Sequence, residues 1–429
     1  MMDELQNKSL MQVLYNIAWL IFDKIFLLGM NLVVLFIVAN FYGPSKYGLF
    51  QYAANIVMIL EIIVQLIDGR IVKKLYVNKN FDHIVFNVTV AKVLLSCIAL
   101  FIGCMVIVFD QRELEFSVIL VLLLFDSIIK NFRFGMENRF EFNLQSRKVV
   151  IASNIGLFLG TLLQLFAVLI KLPIRYIAVI QVISTSIGLL VLYYQYISEY
   201  KIKRGQHLDY SLIISIFKES FPLAIAAAAC VIYTRCDAVM LGMMLTTTEV
   251  GIYSISSKLV STVQILILPI QTTVFVKMLE WLKDKDKYEK NYLKITSIAT
   301  WISISGILFS LMALPFIFKL LKPEYLPALD VYKVLSIGAI FAYNAILRSS
   351  HFTLMNCGRI LMVTQIFTVV INVAANYVLI KSYGMIGAAL ATVLSQFLSL
   401  LISNAFFQDA KFVLKNQIKA FNPSYMFIH

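Results

Sequence analysis

The chain has 429 residues, of which 60% are hydrophobic and only 14% are charged, and its mean hydropathy is +0.83. Soluble domains carry about 25% charged residues, so this composition excludes a soluble globular protein. The formal net charge of +13 does not indicate nucleic acid as a partner, because most of the basic residues lie in short segments between apolar runs. Length and composition therefore predict an integral membrane protein.

Apolar runs long enough to cross a hydrocarbon core about 30 Å thick follow one another along the chain. They lack the alternating pattern of a membrane β-strand, and a backbone in lipid satisfies its polar groups within a helix. The first run follows a polar start without a small-residue cleavage site, so we interpret it as a retained helix, not a signal peptide. The predicted spans are 12–39, 47–67, 84–109, 116–136, 148–171, 174–198, 212–242, 250–276, 295–318, 329–352, 360–381 and 384–407.

Lysine and arginine predict the orientation of these spans. If the N-terminus is inside, the inside segments carry about three times as many basic residues as the outside segments, and short cytoplasmic loops show this excess. The charged segment 277–294 then lies inside, and every outside segment is short. We therefore expect an all-α integral membrane protein of about 12 transmembrane helices with both termini in the cytoplasm.

An internal repeat predicts two halves. Tyr47-Gly48 opens the second span, Val250-Gly251 opens the eighth, and a shift of 203 residues superposes them. Two six-helix halves that start on the same side would be related by an axis along the membrane normal. Chance likeness between aromatic membrane segments is the alternative. The predicted divisions are a first half at 1–200, a cytoplasmic linker at 201–211, a second half at 212–407 and a cytoplasmic tail at 408–429.

Charged residues inside the spans indicate a water-filled interior. A charge near the bilayer midplane costs roughly 2.5–3.5 kcal/mol, so it should face a cavity, pair with another charge or extend to the surface. An excess of cations in a cavity attracts phosphate or carboxylate. The candidate substrate-binding residues of this cationic cavity are Lys24, Lys92, Arg235 and Lys258. The candidates for carrying a coupling proton or sodium ion are Asp23, Glu61 and Asp237.

Motifs of other protein classes are missing from the sequence. There is no G-x-x-x-x-G-K-[ST], H-E-x-x-H or G-x-S-x-G, so neither nucleotide hydrolysis nor another enzyme activity is indicated. The four histidines are scattered without metal-ligand spacing. The five cysteines lie in or beside apolar runs without a C-x-x-C, which is typical of helix packing. We expect no catalytic residue, no metal site and no cofactor.

Three stretches carry a family resemblance. Residues 41–74 contain a Gly-Pro turn at 43–44, Tyr-Gly at 47–48 and Gly-Arg at 69–70. Residues 235–258 contain Asp237, Gly242, Gly251 and Tyr253 in order, and residues 372–392 contain Tyr-Gly at 383–384 before a Gly-Ala-Ala run. Together they resemble polysaccharide-unit flippases of the Wzx type. These belong to the MOP superfamily, which also holds drug exporters of the MATE class and lipid II flippases.

The resemblance implies a MATE-like fold of two six-helix bundles around a central cavity, working by alternating access. It implies transport of an undecaprenyl-diphosphate-linked oligosaccharide across the bacterial inner membrane, for O-antigen, capsule or exopolysaccharide assembly. Membrane lipids and the polymerase and chain-length proteins of the same pathway are the implied partners. The family has no invariant substrate-binding signature, so the candidate residues rest on burial and charge alone.

Two other functions stay open at this point. A drug or small-molecule exporter on the same fold would have a cavity dominated by acids, whereas the buried ionisable residues here are mostly basic. A membrane-embedded glycan polymerase or ligase would keep a sizeable outer loop, and the predicted outer loops are short.

Overall fold

The computed structural model describes residues 2–76, 81–110, 113–200, 206–265, 268–355 and 357–427. Every regular element in these ranges is helical, so the all-helical prediction is confirmed. The α-helices are α1 (Met2–Leu60), α2 (Gly69–Leu75), α3 (Phe81–Asp110), α4 (Leu114–Phe142), α5 (Ser146–Leu169), α6 (Arg175–Glu199), α7 (Tyr210–Met244), α8 (Thr247–Ile265), α9 (Leu268–Trp281), α10 (Lys285–Lys319), α11 (Ala328–Leu354), α12 (Gly358–Phe397), α13 (Ser403–Phe406) and α14 (Lys411–Lys419). Among the shorter elements, a 3-10 helix at Glu61–Leu66 follows α1 directly.

The two longest helices, α1 and α12, each consist of two arms joined at a glycine. Gly43 has φ 74° and ψ 173°, and Gly384 has φ 58° and ψ −132°. A residue with a Cβ rarely adopts such positive φ values, so glycine makes both bends possible. A Cβ at Gly387 would meet the Leu379 carbonyl oxygen, so α12 folds back on itself just after Gly384.

Eight described segments are long and apolar enough to cross a membrane: Ile25–Leu75, Phe81–Asp110, Ser146–Leu169, Arg175–Glu199, Tyr210–Met244, Lys285–Lys319, Ala328–Leu354 and Gly358–Leu400. The chain is therefore a multi-pass membrane protein. The first and last of these segments each overlap two predicted spans. The predicted span 116–136 lies within α4, and the predicted span 250–276 overlaps α8 and α9; none of these three helices is among the eight. The number twelve stays a prediction.

Charged side chains on α4 form pairs. The Lys130 ammonium lies 2.6 Å from a carboxylate oxygen of Asp126, and the Arg133 guanidinium lies 2.9 Å from that of Glu137. Each pair is four residues apart, on one face of the helix. Pairing with an opposite charge reduces the cost of placing these charged groups in a membrane protein.

The described chain divides into two compact units. One unit comprises Met1–Tyr42 and Ala53–Val231, and the other comprises Gly43–Tyr52 and Ile232–His429. The chain passes from one unit to the other twice inside α1, after Tyr42 and after Tyr52, and once inside α7, after Val231. The predicted linker at 201–211 stays a prediction, and its residues 201–205 lie outside the described part of the chain.

The repeated glycines contact each other inside the second unit. A Cβ at Gly48 would meet the Thr247 carbonyl oxygen and lie 2.7 Å from the Gly251 nitrogen. A Cβ at Gly251 would meet the Pro44 carbonyl oxygen and lie 3.0 Å from the Gly48 nitrogen. Both pairs, Pro44 with Thr247 and Gly48 with Gly251, are separated by 203 residues. The contact is therefore reciprocal, and the division of the chain into two six-helix halves stays a prediction.

Candidate functional site

A lysine on α8 has a neutral hydrogen-bond partner. The Lys258 ammonium donates a hydrogen bond of 3.2 Å to the Tyr47 hydroxyl and lies 5.6 Å from the centroid of the Tyr47 ring. Tyr47 is only 2% exposed, while the Lys258 side chain is exposed. The Arg235 guanidinium on α7 is near enough to act on this ammonium electrostatically. Two of the predicted cationic residues are therefore neighbours in the second unit.

The position of Lys258 follows from the packing of α8. The Ser256 hydroxyl donates a hydrogen bond of 2.6 Å to the carbonyl oxygen of Ala328, at the start of α11. At about 100° per residue, Lys258 points about 160° away from Ser256. The helix thus uses one face to bind α11 and presents Lys258 on the other. A cation with a hydroxyl partner and a second cation nearby is suited to binding an anion.

Asp237, one of the predicted ion-coupling residues, lies in a buried polar cluster formed by α7, α8 and α12. Asp237 is 4% exposed. Its carboxylate accepts hydrogen bonds from the Tyr253 hydroxyl at 2.8 Å, from the Asn376 amide at 2.7 Å and from the Thr392 hydroxyl. The donors come from α8 and from both arms of α12. Asp237 thus joins three helices of the second unit.

Two asparagines extend this cluster along α12. Asn372 and Asn376 are fully buried and four residues apart, and the Asn376 amide donates 3.1 Å to the Asn372 side-chain oxygen. The Asn372 amide donates 3.2 Å to the Ser395 hydroxyl. The remaining oxygen, Oδ1 of Asn376, is buried without a hydrogen-bond partner.

The chemistry of this cluster fits a small cation. The hydrogen bonds described for Asp237 come from neutral groups, which do not cancel the charge of an ionised carboxylate buried in low dielectric. A proton on the carboxylate, or a sodium ion held by carboxylate and amide oxygens, would cancel it. The unpartnered Oδ1 of Asn376 offers one further oxygen ligand.

In the first unit, Lys92 has the contacts of a packing residue. It is 4% exposed, and its ammonium donates a hydrogen bond of 2.8 Å to the Val64 carbonyl oxygen in the 3-10 helix. The ammonium also lies 4.0 Å from the centroid of the Phe134 ring. Asp68 and Glu61 act on it electrostatically. Lys92 therefore holds the 3-10 helix against α3 and α4, and its role in a cationic cavity stays a prediction.

The other predicted residues lie at the start of the chain or beside Lys92. Glu61 begins the 3-10 helix. Asp23 is half-buried on α1, and its charge acts on Glu137 of α4. The side chain of Lys24 lies outside the described residues. The structure thus places Glu61 beside Lys92 in one unit, and Arg235, Asp237 and Lys258 on α7 and α8 in the other.

The hydrogen-bond partners of Lys258 and Asp237 were not among the predicted site residues. They are Tyr47 for Lys258, and Tyr253, Asn376 and Thr392 for Asp237. A signal was present for Asn376, because two amides four residues apart in an apolar helix need partners within the protein. No sequence signal joined Asn376 to Asp237, which is 139 residues away.

Solved structures identify the fold. The lipid II flippase MurJ in an inward closed conformation matches with a TM-score of 0.73 and 15% identity, covering 95% of this chain and 91% of that one. An inward-facing multidrug resistance MATE family transporter of the MOP superfamily matches with a TM-score of 0.71 and 14% identity, covering 91% and 95%. A mutant of the Vibrio cholerae MATE transporter VcmN matches with a TM-score of 0.59 and 11% identity, covering 96% and 98%. The chain shares the fold of these transporters and of this flippase, and the predicted resemblance is confirmed.

The family follows from the sequence. The sequence model of the family described as "Polysaccharide biosynthesis protein" matches residues 13–277, more than half of the chain. The chain belongs to this polysaccharide biosynthesis family, and it has the fold of the flippase and transporter structures named above. No curated protein matches the sequence.

Proposed function

We propose that this protein translocates an undecaprenyl-diphosphate-linked oligosaccharide repeat unit across the bacterial inner membrane, for O-antigen, capsule or exopolysaccharide assembly. It acts as a transporter and not as an enzyme, by alternating access. It has twelve transmembrane helices in two six-helix bundles, with both termini in the cytoplasm. The polysaccharide biosynthesis family supports the glycan, and the basic residues between the spans support the orientation.

One observation carries the choice of an anionic lipid-linked substrate. The Lys258 ammonium has a hydroxyl as its hydrogen-bond partner and the Arg235 guanidinium as its charged neighbour. Two neighbouring cations repel each other, and a diphosphate placed between them would remove the repulsion. A cationic drug would increase it. The geometry therefore supports a diphosphate headgroup over a cationic drug.

The reciprocal glycine contact supports alternating access. In the proposed orientation, the starts of α8 and of the second arm of α1 lie at the outer side of the membrane. Gly48 and Gly251 allow backbone to approach backbone there without intervening side chains. Breaking this contact would open the outer end of the transport path, and restoring it would close that end.

Asp237 supports coupling to a cation. Its carboxylate bonds α8 and both arms of α12, so a proton or sodium ion bound there would change how strongly these helices hold together. We propose Asp237 as the ion-coupling residue on this basis.

The test is transport of lipid-linked oligosaccharide by the purified full chain in vesicles, read as loss of the glycan from the face on which it was loaded. Lys258→Ala should reduce the rate at least tenfold, and Lys258→Arg should restore part of it, because the cation returns. Lys333→Ala is the matched control. This α11 lysine is exposed and already has an acidic partner, Asp330, at 2.8 Å.

The outcomes separate the candidate functions. Full transport by Lys258→Ala would refute the cationic site. Glycan-independent export of a cationic dye by the native protein, without glycan transport, would favour the drug exporter. Chain elongation of the glycan in the vesicles would favour a polymerase or ligase.

A further inference from the structure

The last helix, α14, is fixed to the second unit by one face. Val413 is fully buried, and Gln417 is 2% exposed and accepts a hydrogen bond of 3.0 Å from the Asn404 amide. The Phe412 ring stacks on the His351 ring of α11, with the ring centroids 5.2 Å apart. These contacts hold the helix in a defined orientation. Its opposite face is therefore presented in a defined direction as well.

That opposite face has two flanks of different chemistry. At about 100° per residue, Lys411, Lys415 and Lys419 lie within about 80° of each other and form a basic flank. Leu414 and Ile418 lie within about 40° of each other beside it and form an apolar flank. Ile418 is 60% exposed, and Phe421, just beyond the helix, is 48% exposed. No acidic residue occurs between 411 and 419.

We propose that this face of α14 binds the headgroups of anionic phospholipids, with the basic flank on the phosphates and the apolar flank at the acyl boundary. Helices that lie in the membrane interface combine a cationic flank with exposed large apolar side chains in this way. A soluble anion would engage the lysines but would leave Ile418 and Phe421 in water. The pairing of the two flanks therefore selects a lipid surface.

The charge supports an anionic lipid over a neutral one. The helix α14 carries three lysines and no acidic residue. Such a helix is attracted to a leaflet that contains phosphatidylglycerol, and the attraction acts within a Debye length of the membrane surface. Because α14 is already docked on α10 and α11, no ordering of the helix is needed for binding. The contact would hold the end of the second unit at the membrane surface.

The experiment is hydrogen–deuterium exchange of the full chain in nanodiscs of phosphatidylcholine alone or of equal parts phosphatidylcholine and phosphatidylglycerol. Peptides that cover 411–421 should exchange at least about fivefold more slowly in the mixed discs, which is the effect of about one lysine at an anionic surface. Replacing the three lysines by glutamine should abolish the difference, and replacing them by arginine should keep it. The charge-matched control replaces the exposed Lys283, Lys285 and Lys287 by glutamine and should also keep it.

Three results would overturn the proposal. The first is equal exchange of the native chain in both kinds of disc. The second is an equal loss of the difference in the control variant, which would show a general charge effect. The third is slow exchange in phosphatidylcholine discs on addition of inorganic phosphate, which would show a soluble anion as the ligand. The exchange rate of the glutamine variant in phosphatidylcholine discs shows whether α14 is still docked in that variant. If α14 is not docked there, the arginine variant, which keeps the charge, is the test of the proposal.

Discussion

Two substitutions at Asp237 separate the charge of the buried carboxylate from its hydrogen bonds. Alanine removes the acceptor of the hydrogen bonds from Tyr253, Asn376 and Thr392, and of a weaker one from the Cys236 thiol. Hydrogen bonds between helices in a membrane protein contribute about 0.6 kcal/mol each and at most about 1.7 kcal/mol. Asp237→Ala should therefore lower the free energy of unfolding by about 2–5 kcal/mol in total.

Asparagine should preserve most of this network. Its amide oxygen can accept from Asn376, and its amide nitrogen can replace the oxygen that Tyr253 and Thr392 now contact. Both of these groups are hydroxyls, which accept as well as donate. We expect Asp237→Asn to lose less than about 1 kcal/mol of unfolding free energy. It does, however, remove the charge that a coupling cation would bind.

The assay is the unfolding temperature of the purified full chain in detergent, measured in sodium and in choline chloride at equal ionic strength and over a range of pH. The native chain should respond to sodium or to pH, according to which cation binds, and Asp237→Asn should respond to neither. Asp237→Ala should unfold at the lowest temperature of the three. Equal unfolding temperatures for the two variants would refute the hydrogen-bond reasoning. Cation dependence that survives in Asp237→Asn would refute the coupling role.

Three further substitutions test the rest of the structure. Lys92→Ala removes the charged donor to the Val64 carbonyl oxygen, which keeps only the Ile67 N–H at 3.5 Å. The loss should cost about 1.5–3 kcal/mol of unfolding free energy, the range for a hydrogen bond to a charged group, measured by thermal unfolding. Lys92→Ala as stable as the native chain would contradict the packing role. Gly251→Ala forces two backbones apart and should slow glycan transport several-fold. Gly29→Ala is the control, because the new methyl group has open space around it, and it should not slow transport. Equal transport rates for the two variants would contradict the close contact. Tyr47→Phe removes the hydroxyl partner of Lys258 but keeps the ring, so it should lower the transport rate less than Lys258→Ala does. A larger loss of transport than in Lys258→Ala would show that the tyrosine hydroxyl has a role of its own.

The positions of the helices were predictable because apolar length determines them. The predicted spans 84–109 and 174–198 lie within a few residues of α3 (Phe81–Asp110) and α6 (Arg175–Glu199). The two glycine bends were also marked in the sequence. Gly43 and Gly384 both belong to the stretches that carried the family resemblance, and both adopt the positive φ that explains why glycine is needed there.

The surroundings of the charged residues were not predictable in the same way. Lys92 and Lys258 both lie well inside predicted spans, so hydropathy treats them alike. In the structure, the ammonium of Lys92 contacts a backbone carbonyl, and the ammonium of Lys258 contacts a tyrosine hydroxyl. Hydropathy indicates the depth of a residue in the membrane, whereas its partner depends on which helix packs against that face. That packing is set by contacts between residues far apart in the sequence.

The residues proposed to bind the anion and the cation lie on the same two helices of the second unit, α7 and α8. Arg235 and Asp237 are two residues apart on α7, about 160° apart around its axis, and Lys258 and Tyr253 are about 140° apart on α8. The pair of helices therefore presents Arg235 and Lys258 in one direction and the Asp237–Tyr253 hydrogen bond in another. A cation at Asp237 that alters the packing of α7 on α8 must also alter the spacing of the two basic groups. Suppose that a cation at Asp237 changes the affinity of Arg235 and Lys258 for a diphosphate by some factor. Because such coupling is reciprocal, the bound diphosphate must then change the affinity of the Asp237 cluster for the cation by that same factor.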